Sequence, residues 1–472
     1  MNATAIIVRT ELLRMARGRW LLPLWFAFLA LCGYAAWEGA AWSAQRGAAL
    51  AAIQDEEREV HRMRRDQIVN ELTPDNKSRY GGAIYATAMS FRATLPQGEL
   101  PVLTVGQAEG YPMAARIFPF VASNTIFDEY MAGMENPAVL AAGRFDLAFV
   151  LVWLMPLLVL AGSVDLWSFE RERGMAPWLL AQPVSPLRYL AAKAAARALL
   201  LVGVPVLVLV AVLRFTAAAG PATLLQVAIL SALYGLFWLG FAIVVNLFAR
   251  NTAQAALGCV GGWLALVVLV PALALGVADL FAPPSSPAER ANVLRAMALQ
   301  ARAEVRQADG ASRPGRAPAS NIPDNLRKRA VEVERGEQLI RAAVQPFRAR
   351  DQRRLYWMEA LRASSPAIAF QDALERLAGA DAGRALRFQD QAHAFLLDVR
   401  RLTQRYLEQD RLLTAADYDH GLPRFVHREA PPATRFGALA FDAGVMALFL
   451  LTLLALLAVG ARRLRRQAFQ PE

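Results

Sequence analysis

The chain has 472 residues, 56% of them hydrophobic, with 51 basic residues against 40 acidic ones and a mean hydropathy of +0.29. A soluble protein of this length divides into two or three domains, but the charge-free runs here are too long for that class. The net charge of +11 gathers beside those runs, so it argues for topology and contact with anionic lipid and against a nucleic-acid site.

Leu21–Trp37, Leu147–Val164, Ala198–Leu213, Phe215–Ala249, Asn251–Ala278 and Ala443–Ala461 contain no charged residue. A helix rises about 1.5 Å per residue and the hydrocarbon core is about 30 Å thick, so roughly 17–25 apolar residues cross it. Five runs reach that length, and Ala198–Leu213 does so if Arg197 and Arg214 snorkel. The expected fold is an all-α membrane protein with six transmembrane helices and two extracytoplasmic, mainly helical inserts.

In chain order, residues 1–20 read as an amphipathic elbow helix on the inner membrane face. Ile6, Val8, Leu12, Leu13, Met15, Ala16 and Trp20 form its apolar side, and Thr10, Glu11, Arg14 and Arg17 lie opposite. Transmembrane helix 1 follows at 21–37, as a retained signal-anchor. The first insert, 38–145, opens with a helical stretch, Ala44–Leu72, striped by Leu50, Ile53, Val60 and Met63, and continues with turn-rich sequence that suggests no particular element. Transmembrane helices 2–5 occupy 146–281 and enclose a charged loop at 167–193, where Ser185 and Pro186 suit the N-cap and first position of a new helix. Tight turns are expected at Gly220–Pro221 and at Arg250–Asn251–Thr252.

The second insert, 282–436, contains a linker-like stretch, Asp309–Pro323, and two helical patterns. Leu326, Val333, Ile340 and Phe347 recur every seven residues, with Ala330 and Val344 between them. Phe388, Ala392, Phe395, Val399, Leu402 and Tyr406 alternate steps of three and four. The pair predicts helices packed side by side, turning near Ser364–Pro366. Transmembrane helix 6 at 437–461 and a basic tail at 462–472 end the chain.

Segments 1–20, 167–197, Arg250 and 461–472 hold fourteen basic and four acidic residues, which puts them and both termini on the cytoplasmic side. Cys32 and Cys259 both fall in apolar runs, so no disulfide framework is expected. The dipeptide Gly-Lys is absent, so no phosphate-binding loop of the GxxxxGK[ST] kind is present. Asp417, Asp419, His420, His427 and Glu429 could bind a metal, but their irregular spacing favours a solvated loop, and no cofactor is expected. Asp165 and Asp442 sit at membrane borders, where carboxylates more often mark helix ends than functional sites.

Phe169–Gly174 (FERERG), Leu179–Ser185 (LLAQPVS), Arg188, Tyr189, Leu190 and Lys193 resemble the first cytoplasmic loop of exporter-type ABC transporter permeases of the second class. The layout is similar to a subfamily with large inserts and unassigned substrate. Two departures stand out: Met175–Ala176–Pro177 replaces the usual Thr-Leu-Glu, and Ala192 the usual Gly. The resemblance implies a coupling helix that docks on ABC ATPase subunits, with Phe169, Glu170, Arg171, Glu172, Arg173, Gly174, Trp178, Leu179, Leu180 and Pro183 as ATPase-coupling residues. It further implies a second permease copy or paralogue, a bacterial inner-membrane location and catalysis in separate subunits. An extracytoplasmic partner would be engaged by the outer helices. The alternative is ATPase-coupled mechanotransmission without a pore. The spans offer only scattered polar residues (Ser163, Gln226, Ser231, Asn246) for a path, and a secondary transporter is disfavoured because the spans carry no ion-pair network.

Overall fold

The computed structural model describes residues 3–18, 21–70, 82–106, 108, 110–131, 145–175, 178–179, 185–217, 219–311 and 320–468. The elements used below are α1 (Ala3–Arg17), α2 (Leu21–Asn70), β1 (Phe91–Thr94), β2 (Ala114–Ile117), α3 (Leu147–Ala161), α4 (Ser168–Glu172), α5 (Pro186–Thr216), α6 (Pro221–Phe248) and α7 (Thr252–Phe281). They continue with α8 (Pro287–Ala311), α9 (Asp324–Leu361), α10 (Pro366–Ala378), α11 (Ala382–Glu408) and α12 (Pro432–Ala468). Proline supplies the first residue of α5, α6, α8, α10 and α12, where its missing N–H costs no helical bond. Ser185 caps α5 by accepting from the Arg188 N–H, and Asn251 caps α7 through the Gln254 N–H.

Among the described residues five helices, α2, α5, α6, α7 and α12, are long and apolar enough to cross a membrane, and α3 is a shorter apolar helix. The run expected to span from 147 to 164 ends at Ala161, where Gly162 is the C-cap, and Asp146 caps its other end through the Phe149 N–H. Its 15 residues rise about 22 Å, short of the roughly 30 Å hydrocarbon core.

Three of the apolar helices widen into a π turn just before a proline: Val150–Leu154 before Pro156, Leu199–Gly203 before Pro205, and Leu264–Leu269 before Pro271. Proline lacks the N–H for the ladder and its ring crowds the carbonyl four residues back; one extra residue in the turn relieves that clash. The carbonyls left over need donors, because lipid offers none. Tyr234 of α6 donates its hydroxyl to Val152 O at 2.9 Å, and Ser365 donates to Leu266 O at 2.7 Å.

Ser365 thereby seats α10 against the helix bundle. The same hydroxyl accepts from the Ala367 N–H, so it caps α10 while docking it on α7. Phe370 stacks on Tyr234 with ring centroids 4.3 Å apart, and Ala369, Phe370, Ala373, Leu374 and Leu377 are wholly buried. Asp442 of α12 is also wholly buried and faces Arg362 at 3.5 Å and Arg376 at 3.4 Å, with Asp372 bridging the two arginines. The border carboxylate is a member of a buried ion cluster, not a helix-end marker.

The inserts differ from expectation in three ways. The first span and the stretch beyond it form one unbroken helix of 50 residues, α2, with Leu50 and Ile53 buried and Met63 exposed. The unassigned part of the first insert contains an antiparallel pair, β1 and β2, in the register Phe91↔Ile117, so this insert is not purely helical. Finally, the heptad face of α9 packs on α8 rather than on α11: Gly336 lies against Ala301, and Arg335 pairs with Glu304 at 2.8 Å. Residues 118–121 wedge between α9 and α11, where Arg400 donates to Pro119 O and Val121 O while Arg329 lies over Phe120. The apolar face of α11 instead packs with β1 and β2 in a second core around Phe91, Ile117, Phe388 and Phe395. Residues 312–319, within the expected linker, fall outside the described residues.

Gly235 marks the crossing of α3, α5 and α6, since a Cβ there would lie 2.6 Å from Met155 Cε and 2.7 Å from Val202 Cγ1. Small residues at such crossings let helices approach in lipid. Gly235→Val should therefore cost about 1–3 kcal/mol by overpacking. Ser365→Ala should cost a similar ~1–3 kcal/mol by orphaning the Leu266 carbonyl. Thermal unfolding of the detergent-purified protein checks both, and each variant should melt several degrees lower.

Candidate functional site: the charged loop

The stretch that follows α3 turns through residues 162–167 and forms the five-residue helix α4. Gly174 ends it at φ +69, a conformation that strains any side chain, while the Gly174 and Met175 N–H groups close on Arg171 O and Glu170 O. The glycine in FERERG is thus required by the way the helix stops.

Glu170 is buried, not presented to solvent. Lys193 of α5 donates to its Oε1 at 2.5 Å and Tyr189 at 3.2 Å, and the same Nζ donates to Leu166 O at 2.8 Å. Arg197, one further turn along α5, does not snorkel: it is 2% exposed. It meets Glu11 of α1 through Nη2 at 2.6 Å and Nε at 3.0 Å, Gly162 O at 3.0 Å and Asp165 at 2.9 Å. Arg14 of α1 completes the set with Asp165 at 2.8 Å. Three carboxylates and three cations from α1, residues 165–170 and α5 are interleaved, and the four buried ones, Glu11, Glu170, Lys193 and Arg197, balance one another. A buried charge is tolerated only with such partners.

The elbow helix is corrected by the same contacts. Its buried seam is Glu11 and Met15, whereas Ile6 and Leu13, placed on its apolar face by periodicity, are 46% and 44% exposed.

Arg171 and Glu172 point elsewhere. Arg171 donates to Ala249 O at 2.5 Å and Leu247 O at 3.2 Å, at the end of α6. Glu172 accepts from the Thr252 N–H at 3.1 Å and its hydroxyl at 2.6 Å, at the start of α7. Those two bonds hold the Glu172 carboxyl below the usual carboxylate range. Asn246, wholly buried in α6, accepts from the Trp167 and Ser168 N–H groups at 3.3 and 3.2 Å and donates to Ser163 O at 3.1 Å. Asn246 therefore clamps protein to protein; with Ser163 and Ser231 also wholly buried, these three line no open polar path.

The outward side of the loop carries Arg173, stacked on Phe169 at 4.2 Å, together with Gly174, Met175 and Trp178, the last 74% exposed. Arg14 lies on the same Phe169 ring at 4.9 Å. Trp167 lies in the core, edge-on to Tyr189 at 6.4 Å. Leu179 is half-buried; Leu180, Pro183, Ala176 and Pro177 fall outside the described residues.

Sequence reasoning overlooked Glu11, Arg197, Asn246 and Thr252 as parts of this site. One signal was available: Tyr189, Lys193 and Arg197 recur every four residues, a polar stripe entering an apolar helix, which demands partners. The other candidate cluster is dispersed. Asp417 is taken by Tyr406, Arg411 and Thr414, and Glu429 by Arg384. Among the described residues no group of three or more His, Cys, Asp or Glu side chains could hold a metal ion.

A family model described as ABC-2 family transporter protein matches residues 5–468. A comparison with curated proteins gave no match.

Removing one partner of a buried ion pair costs far more than the pair is worth, about 3–5 kcal/mol. Glu11→Ala should approach that loss and release α1 from α5. Trypsin added to the detergent-purified protein should then cut after Arg14 or Arg17 faster than in the wild type, with a lower melting temperature.

Proposed function

This chain belongs to the ABC-2 transporter family, and we propose that it is the permease subunit of an ATP-driven transporter in a bacterial inner membrane, with both termini cytoplasmic. ATP hydrolysis takes place in separate ATPase subunits docked on the loop 167–193, and two permease subunits, identical or paralogous, work together. Closure of the ATPases pushes α4, and the push moves the spans and opens a way for substrate past α10. An extracytoplasmic partner engages the inserts.

One observation carries this reading: the loop has two chemically distinct sides. Its inner side is locked to α5, α6 and α7 by charged hydrogen bonds, while Arg173, Met175 and Trp178 are exposed on the outer side. An exposed tryptophan beside an arginine is the composition of a protein-docking hot spot.

The second reading, mechanotransmission without a pore, is favoured by α2. Its 50 residues rise about 75 Å, of which about 30 Å suffices to cross the bilayer, so a rigid rod continues from the membrane into the outer core.

Arg173→Glu and Trp178→Ala should each weaken binding of the co-expressed ATPase by roughly tenfold, the usual loss at a hot-spot residue, while expression and monodispersity stay unchanged. Unaltered binding in both variants would refute docking at this loop. A substrate-independent ATPase cycle that drives motion of the inserts, with no flux into proteoliposomes, would favour the second reading.

A further inference from the structure

We propose that α4 drives two branches of the membrane domain, and that Arg171, Glu172 and Asn246 are positioning residues for the second, which runs through residues 247–252 to α7. This rests on the loop being the ATPase-coupling element.

The first branch is the Glu170–Lys193 contact to α5. The second follows from the geometry of the next two residues. Successive side chains on a helix turn by about 100°, so Arg171 and Glu172 leave the α5 side and reach the turn between α6 and α7. There they meet opposite electrostatic ends. The last carbonyls of α6 have no helical partner and lie at the negative end of its dipole, and Arg171 donates to two carbonyls there. The first N–H groups of α7 are unpaired at the positive end, and Glu172 accepts from that of Thr252. An Arg-Glu dipeptide thus complements a helix end and the next helix start together. Asn246 fixes the other end of α4 by taking two of its N-terminal N–H groups. Tied at both ends, α4 cannot shift without carrying the 247–252 turn.

What lies beyond the turn suits a lever. Only 11% of the apolar window of α7 is buried, the least of the five long spans, so few packing contacts resist its swing. Its outer end is joined to α9 by Asp279–Arg354 and by Phe281 stacked on Trp357 at 4.8 Å, and its π turn holds Ser365 at the head of α10. Motion entering at Thr252 therefore arrives at the outer hairpin and at the seat of α10.

The test uses the full complex of this chain with its ATPase in nanodiscs, with Cys32 and Cys259 replaced by alanine. A spin label is placed at Leu280 in α7 or at Leu207 in α5, both largely exposed. In the wild type, ATP with vanadate should change both spectra. In the double variant Arg171→Ala/Glu172→Ala, which removes both side-chain ties to the 247–252 turn, the Leu280 label should lose its ATP-dependent change while the Leu207 label keeps it and ATPase binding is unchanged. Thr252→Ser, which retains the hydroxyl donor beside wild-type Arg171 and Glu172, should keep the Leu280 response. A wild-type response at Leu280 in the double variant would overturn the proposal. So would joint loss at both labels, or loss of ATPase binding, which would make Arg171 or Glu172 a docking residue. Failure of the underlying reading appears separately, as undiminished docking by Arg173→Glu and Trp178→Ala.

Discussion

The placing of α1 and α4 against α5 depends on keeping Lys193 and Arg197 satisfied inside a helix that otherwise reads as lipid-soluble. Neither can reach water, being 1% and 2% exposed. Their need for counter-charge recruits Glu170 from the loop, Asp165 from the turn before it and Glu11 from the N-terminal helix. Two stretches far apart in sequence, the N-terminal helix and residues 165–170, are drawn to one face of α5. Desolvating such ions costs several kcal/mol each, repaid only when hydrogen bonds and opposite charges surround them. That makes the arrangement a poor source of stability but a strict specifier of where α1 and α4 must sit.

The outer half of the membrane domain obeys a related constraint on neutral groups. Prolines in three apolar helices force π turns and leave carbonyls without donors. Two of the remedies are polar side chains from neighbouring helices, Tyr234 and Ser365. The second of these seats α10 against the helix bundle. The prolines therefore shape not only their own helices but also the seat of α10.

How far the fold was legible follows from the range of the interactions involved. Membrane spans, proline-started helices and the loop between α3 and α5 were readable because each depends on residues close in sequence. Glu170 and Glu172 were recognised as belonging to one functional loop, yet their orientations were not readable. Which side of a five-residue helix faces the protein is decided by partners 20 to 80 residues away. Glu11 was assigned to the polar side of α1 because periodicity counts a carboxylate as polar, whatever cation awaits it. The heptad of α9 was read correctly as a packing face, but the seven-residue repeat carries no identity for the partner, and α8 occupies it. The β1–β2 pair was missed because strands of four residues set among glycine and proline leave little alternation to detect.

The claim that the buried ion cluster binds the loop to α5 is tested most directly by a double-mutant cycle on Glu170 and Lys193, read by thermal and denaturant unfolding of the purified protein. If the pair is the fastening, Glu170→Gln and Lys193→Met are each strongly destabilising, and the double variant recovers at least about 1 kcal/mol relative to the sum of the single losses. Losses that add to within about 0.5 kcal/mol would contradict the account, because the two groups would then be held by their surroundings independently of each other.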